Sequence, residues 1–94
     1  MIDYNGLPES LRGGTGRWIE SGVQPGSFLM AVICNNLKEA FARADDDNRR
    51  DLFHIVGWFY NEAPMPCWGS VSRARNWAER YGRTIELEWL EETS

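Results

Sequence analysis

The chain has 94 residues and a mass of 10.8 kDa, room for one domain with one modest core and no second domain. Its 43% hydrophobic and 26% charged residues are those of an ordinary globular protein, and the 13% aromatic share, with five Trp, is high for the length. Ten basic against fourteen acidic side chains leave a net charge of −4, which argues against generic binding of long nucleic acid by a basic surface.

No stretch suits a membrane span. The uncharged run from Ser21 to Leu37 carries Gly, Pro and Asn, and no signal-peptide pattern opens the chain. Nine of the ten bases are Arg and only Lys38 is Lys. Arg grips phosphate with a planar fork, so local phosphate contacts stay open, alongside plain surface salt bridges.

In chain order, Pro8 suits a first helical position and Gly22 the position just past an end. The spacing predicts a helix over residues 8–21 with Leu11, Thr15, Trp18 and Ile19 on one stripe. Gly13, Gly14 and Gly16 each cost such a helix about 1 kcal/mol against Ala, so this segment frays or is held by something packed close. Pro25-Gly26-Ser27 opens a second helix expected over residues 26–44. Its apolar arc runs through Val32, Leu29, Ala40, Ile33, Ala44, Leu37, Met30 and Phe41, wide enough to be buried on more than one side. Asn36 lies inside that arc.

Asp45-Asp46-Asp47 caps a third helix expected over residues 46–62. Ile55, Phe59, Leu52, Ala63, Val56, Tyr60 and Phe53 share its expected buried face, Asn48 falls in the same arc, and Trp58 and His54 project from the other side. A tight link makes the second and third helices an antiparallel hairpin, across which Asn36 and Asn48 are expected to meet as structural residues.

Pro64-Met65-Pro66 ends the third helix. Ser70 caps a fourth over residues 70–81, with Val71, Ala74, Trp77, Ala78 and Tyr81 as its apolar stripe, Arg73, Asn76 and Arg80 as a polar one, and Gly82 as its stop. Thr84 to Leu90 alternates, with Ile85, Leu87 and Trp89 on one face, so a strand is expected over residues 84–90. A lone strand needs a partner, either the segment holding Ile2 and Tyr4 or another protomer. The fold class is therefore mainly α: a single four-helix domain over residues 1–94, with a short C-terminal strand, expected to be oligomeric. His54, Trp58, Ile85, Leu87 and Trp89 are the candidate interface residues.

Chemistry-bearing motifs are sparse. Asp45-Asp46-Asp47-Asn48 is not a calcium loop, since Arg50 and Val56 stand where such a loop needs Gly and Glu. Cys34, Cys67 and the lone His54 lack metal-ligand spacing, and two free thiols suit a reducing compartment. His54 has no nucleophile and orienting acid near it in sequence, so no catalytic residue, metal or cofactor is assigned. The Gly13–Gly16 cluster lacks Walker spacing and reads as small residues at a close helix contact. Two helix starts, Gly26-Ser27 and Gly69-Ser70, combine free backbone N–H groups with a hydroxyl. Arg12, Arg17 and Arg73 are candidate cationic partners for a phosphate there, and Tyr60 and Trp68 candidate stacking platforms.

The segment Leu7-Pro8-Glu9 through Ile19-Glu20-Ser21-Gly22 and Pro25-Gly26-Ser27-Phe28-Leu29 to Ala31-Val32 resembles a family of small phage and prophage accessory proteins. So do Asn36-Leu37-Lys38-Glu39-Ala40, Arg43-Ala44-Asp45, Asn48, Tyr60-Asn61-Glu62-Ala63-Pro64 and Cys67-Trp68-Gly69-Ser70. The likeness covers residues 7–81; the glycine cluster and the tail fall outside its pattern. It implies a phage origin, action in the bacterial host cytoplasm and no essential virion role.

Such proteins often disarm host defences, some as oligomeric sponges for cyclic nucleotide signals. The expected function is sequestration of a phosphate-bearing nucleotide signal, with a cyclic oligonucleotide as the expected ligand, without cleavage. The alternatives are a protein-binding inhibitor of a host defence complex, engaging a basic surface through Glu86, Glu88, Glu91 and Glu92, and a small hydrolase.

Overall fold

Three of the predicted helices form almost where their caps place them. In the computed structural model, which describes residues 2–89, α1 spans Glu9–Ser21, with Pro8 just outside it and Gly22 closing it in the left-handed conformation at φ 67°. Leu11, Thr15, Trp18 and Ile19 are its four buried residues. The glycines do not break it. Gly14 lies against Leu29 and Pro25, and Gly16 against Tyr4, each at ordinary contact distance for an added Cβ. The helix is thus held by close packing.

The long second helix is instead two helices. α2 spans Ser27–Ile33 and α3 spans Leu37–Arg43. Asn35 takes a left-handed φ of 59°, which Asn tolerates better than most side chains. The Asn36 N–H then bonds back to the Ala31 carbonyl at 2.8 Å and the Asn35 N–H to Val32 at 3.0 Å, the double closure of a Schellman turn. Asn36 is consequently not a buried amide inside an apolar arc. Its Oδ1 accepts from the Glu39 N–H and caps α3. The expected pairing with Asn48 is absent among the described residues: the Asn36 Oδ1 serves as the α3 cap, and Asn48 bonds to Asp45 through its backbone N–H.

α4 spans Asp46–Glu62 and is capped by Asp45 as expected, but its face is turned. Ile55, Trp58 and Phe59 are buried, while Phe53, Val56 and Tyr60 face outward. Trp58 stacks on Tyr4 at 5.6 Å, meets Phe59 edge-on, and donates its indole N–H to the Asp3 carbonyl. It belongs to the core of its own chain and is not the protruding anchor expected of it. A short 3-10 turn over Met65–Cys67 leads to α5, Val71–Glu79, capped by the Ser70 hydroxyl and stopped at Gly82 with φ 69°.

Among the described residues the domain is mainly helical, with five α-helices and no strand. The alternation of the tail is nonetheless real: Leu87 and Trp89 are buried, Ile85 half-buried, and Thr84, Glu86 and Glu88 exposed. No strand pairs with it among the described residues; a side chain of the same chain does. The Gln24 side chain receives from the Glu86 N–H at 2.9 Å and donates to the Glu86 carbonyl at 2.7 Å, satisfying both backbone groups as a neighbouring strand would. Arg83 bonds to the Ser21 carbonyl and Arg43 lies over the Trp89 ring.

α2 sits at the centre, with every residue from Phe28 to Ile33 buried. Trp18, fully buried, donates its indole N–H to the Cys67 carbonyl at 3.0 Å, and its own carbonyl receives the Trp77 indole at 3.0 Å. The result is a thin slab, 31 × 31 × 18 Å.

Two substitutions at neighbouring core positions are expected to act in opposite directions. Trp18→Phe keeps a ring but strands the buried Cys67 carbonyl, and is expected to cost about 2 kcal/mol. Thr15 is fully buried and its hydroxyl has no hydrogen-bond partner, so the isosteric Thr15→Val is expected to stabilise by about 1 kcal/mol. Urea unfolding of the two variants measures both.

Candidate functional site

The nine candidate ligand residues do not converge on one place. Arg12 is already engaged: its Nε donates to the Leu7 carbonyl at 2.9 Å and its Nη2 to the Asn5 carbonyl at 3.2 Å, fastening the N-terminal turn to α1. It holds the fold there and does not line the cleft that Arg17 lines. The Gly69-Ser70 start is also closed. The Gly69 N–H bonds to the Ile33 carbonyl at 2.7 Å, the Ser70 hydroxyl accepts from the Arg73 N–H at 3.1 Å, and the Arg73 guanidinium turns back to the Trp68 carbonyl.

Trp68 leans on Phe59 at 5.5 Å instead of standing free. Arg73 does border a separate 250 Å³ depression with Asn76 and Arg80, where Arg80 covers the Trp77 ring. Tyr60 is exposed on a different flank, along α4.

Arg17, Gly26 and Ser27 are brought together. They line a cleft of about 430 Å³ between α1, α2 and the start of α4, with Ser10, Arg43 and Asn48 among its other walls. Gly14 lies on the same wall. Gly26 has no side chain to cap α2, so the first N–H groups of that helix lack an internal partner.

Arg17 pairs with no carboxylate among the described residues, and the Asn48 side-chain amide has no hydrogen bond there either. Arg43 is divided: it bonds to Glu39 at 3.0 Å and to the exposed Glu88 at 3.3 Å, and these carboxylates, Glu39 first, raise its affinity for its proton. The cleft therefore presents one uncommitted guanidinium, one tethered one, two hydroxyls and an amide.

Arg43, Asn48 and Ser10 were not singled out as ligands from the sequence. They belong to three different helices, and no local spacing links them.

His54 lies in a second depression of about 420 Å³, with Asp3 and Glu62 on its walls. No Ser, Thr or Cys lines the same space, so no nucleophile meets the imidazole there. Cys34 and Cys67 are buried free thiols, and burial pushes their pKa values up to about 11 and about 12. They are poor nucleophiles at neutral pH. Tyr4 is likewise raised to about 12, by burial first and by its bond to Glu20 second. Among the described residues no group of His, Cys, Asp or Glu is placed to hold a metal ion, and no helix is long and apolar enough to cross a membrane.

Comparison with known protein families, with curated proteins and with solved structures returned no match for the chain.

The thiol shifts set an alkaline limit on stability. A group whose folded pKa lies above its unfolded value keeps its proton longer in the folded state, so its contribution is full below the unfolded value near 9 and fades as pH rises toward 11. Melting temperature is expected to fall between pH 8 and about 10.5, and to fall less in Cys34→Ala, as read by thermal unfolding across that range.

Proposed function

We propose that the protein is a phage accessory protein that works by holding a small phosphate-bearing molecule, with a cyclic oligonucleotide defence signal as the leading candidate, and does not turn it over. The observation that carries this reading is the convergence of Arg17, Ser10, Ser27 and Asn48 on one cleft, with Arg17 paired to no carboxylate among the described residues. A cleft of about 430 Å³ is in the range that small ligands occupy. Its polar side chains are Ser, Arg and Asn with no Asp or Glu among them, and donors with an unpaired guanidinium select an anion.

The overall charge of −4 favours a compact ligand over a polymer, because a polymer needs many phosphate contacts along a basic surface. Holding is favoured over hydrolysis because the cleft walls include no His and no Cys, and His54 lies elsewhere. The phage origin, the defence-signal ligand and the host cytoplasm rest on the resemblance of residues 7–81.

Calorimetry against a panel of cyclic di- and trinucleotides, with recovery of the ligand after heating, tests the reading. Micromolar binding with intact ligand is expected. Arg17→Ala is expected to weaken it about tenfold or more, a loss of about 1.4 kcal/mol or more. Glu88→Gln removes one of the two carboxylates that hold Arg43, leaving Glu39, and is expected to strengthen binding modestly, most clearly at low salt. No binding across the panel would overturn the reading in favour of a protein-binding inhibitor of a host defence complex. Cleaved ligand would overturn it in favour of a small hydrolase.

A further inference from the structure

The outer flank of α3 and α4 is apolar and uncovered. Leu37 and Phe41 stand four residues apart on α3, and are 69% and 57% exposed. Phe53, Val56 and Tyr60 form one stripe on α4, with Phe53 87% and Tyr60 80% exposed. The stripes adjoin: Leu37 and Val56 line the same shallow depression with Ala40 and Leu52, and Arg49 at the end of the α4 stripe covers the Phe41 ring. From Leu52 to Asn61 the helix carries no Asp, Glu, Lys or Arg. Depletion of charge with enrichment in aromatics marks the centre of an interface.

Gly57 supplies a separate observation. It sits in the middle of α4, where glycine costs about 1 kcal/mol against Ala. A Cβ at this position would meet nothing within 4 Å in its own chain, so the protomer has no packing reason for it. Gly57 helps line the depression beside Phe53, His54 and Asn61, a notch next to the aromatic stripe.

We infer that this flank is the interface of a symmetric homodimer, in which two α4 helices cross antiparallel near Val56 and Gly57. Phe53 and Tyr60 lie seven residues apart on either side of that crossing. A twofold axis there sets Phe53 against the Tyr60 of a second copy, and does so twice, as an isologous contact requires. Gly57 lets the two backbones approach and leaves a hole for an aromatic knob. The second copy is the occupant because this pattern is self-complementary about its own centre.

The area agrees. At roughly 150–250 Å² per aromatic ring, the exposed parts of Phe41, Phe53 and Tyr60 amount to about 450 Å², and Leu37 and Val56 bring the face to about 600 Å². Two such faces bury about 1,200 Å², the size at which specific interfaces begin.

The dimer is tested by analytical ultracentrifugation of the full chain from low micromolar to about 100 µM. Twice the 10.8 kDa chain mass is expected. Phe53→Ser and Tyr60→Ser are each expected to raise the dimer dissociation constant more than tenfold with unchanged circular dichroism, since both side chains are solvent-facing in the protomer. Gly57→Ala separates interface from fold: it is expected to favour the helix and yet to weaken the dimer. A monomer throughout the concentration range overturns the inference. So does a dimer that Phe53→Ser, Tyr60→Ser or Gly57→Ala leaves intact.

Discussion

The structure depends on the hydrogen bonds made at Trp18. Its indole N–H is spent on the Cys67 carbonyl, and its own carbonyl receives the Trp77 indole and the Gly22 N–H. Those contacts tie α1 to the 65–67 turn, to α5 and to its own C-terminal stop. Gly22 must be left-handed to close α1 there, and a Cβ on it would stand 2.6 Å from the Tyr81 ring. Tyr81 in turn bonds to the Ile19 carbonyl. One turn of helix thus anchors the 65–67 turn and α5.

The same use of tryptophan accounts for its abundance. A chain of this length has little interior, and a buried polar group without a partner is costly. Trp fills volume and also carries a donor. Trp18, Trp58 and Trp77 each place a ring in the core and spend the N–H on a distant backbone carbonyl. Their donors serve connection between segments, whereas the sequence alone left Trp58 free to be read as an interface anchor. Among the buried side-chain polar atoms of the described residues, the Thr15 hydroxyl is the exception and has no partner.

Helix ends were legible where a side chain or a glycine fixes them locally: Gly22, Asp45, Ser70 and Gly82 do what their residue types imply. The break between α2 and α3 was hidden because it is made by Asn35 and Asn36 inside an unbroken apolar periodicity. An Asn in the left-handed region ends a helix as surely as Gly does, but its letter carries no such signal when its neighbours keep the helical spacing. The facing of α4 was hidden for a different reason. Its apolar residues cover so wide an arc that the period fixes a helix without fixing which flank is inside; contacts from Tyr4 and Asp3, near the start of the chain, decide in favour of Trp58. The tail shows a third failure. Its alternation correctly separated Leu87 and Trp89 from Glu86 and Glu88, and the error lay in requiring a strand to pair with it, when one Gln24 amide satisfies the same two backbone groups.

The candidate cleft is a consequence of that hidden break. A single helix over residues 26–44 would carry Ser27 and Arg43 at opposite ends, about 24 Å apart at 1.5 Å per residue. Because the chain reverses at Asn35 and Asn36, α3 returns and Arg43 comes to border the same cleft as Ser27, with Asn48 arriving on the next helix. The left-handed Asn35 is therefore what joins the two ends of the α2–α3 segment around one space. It also sets α3 beside α4, so that the turn which builds the cleft aligns Leu37 with Val56 on the apolar flank. The two surfaces are coupled through one backbone conformation. A substitution that straightens it removes the donor cleft and the apolar face together, while changes confined to Arg17 or to Phe53 separate them.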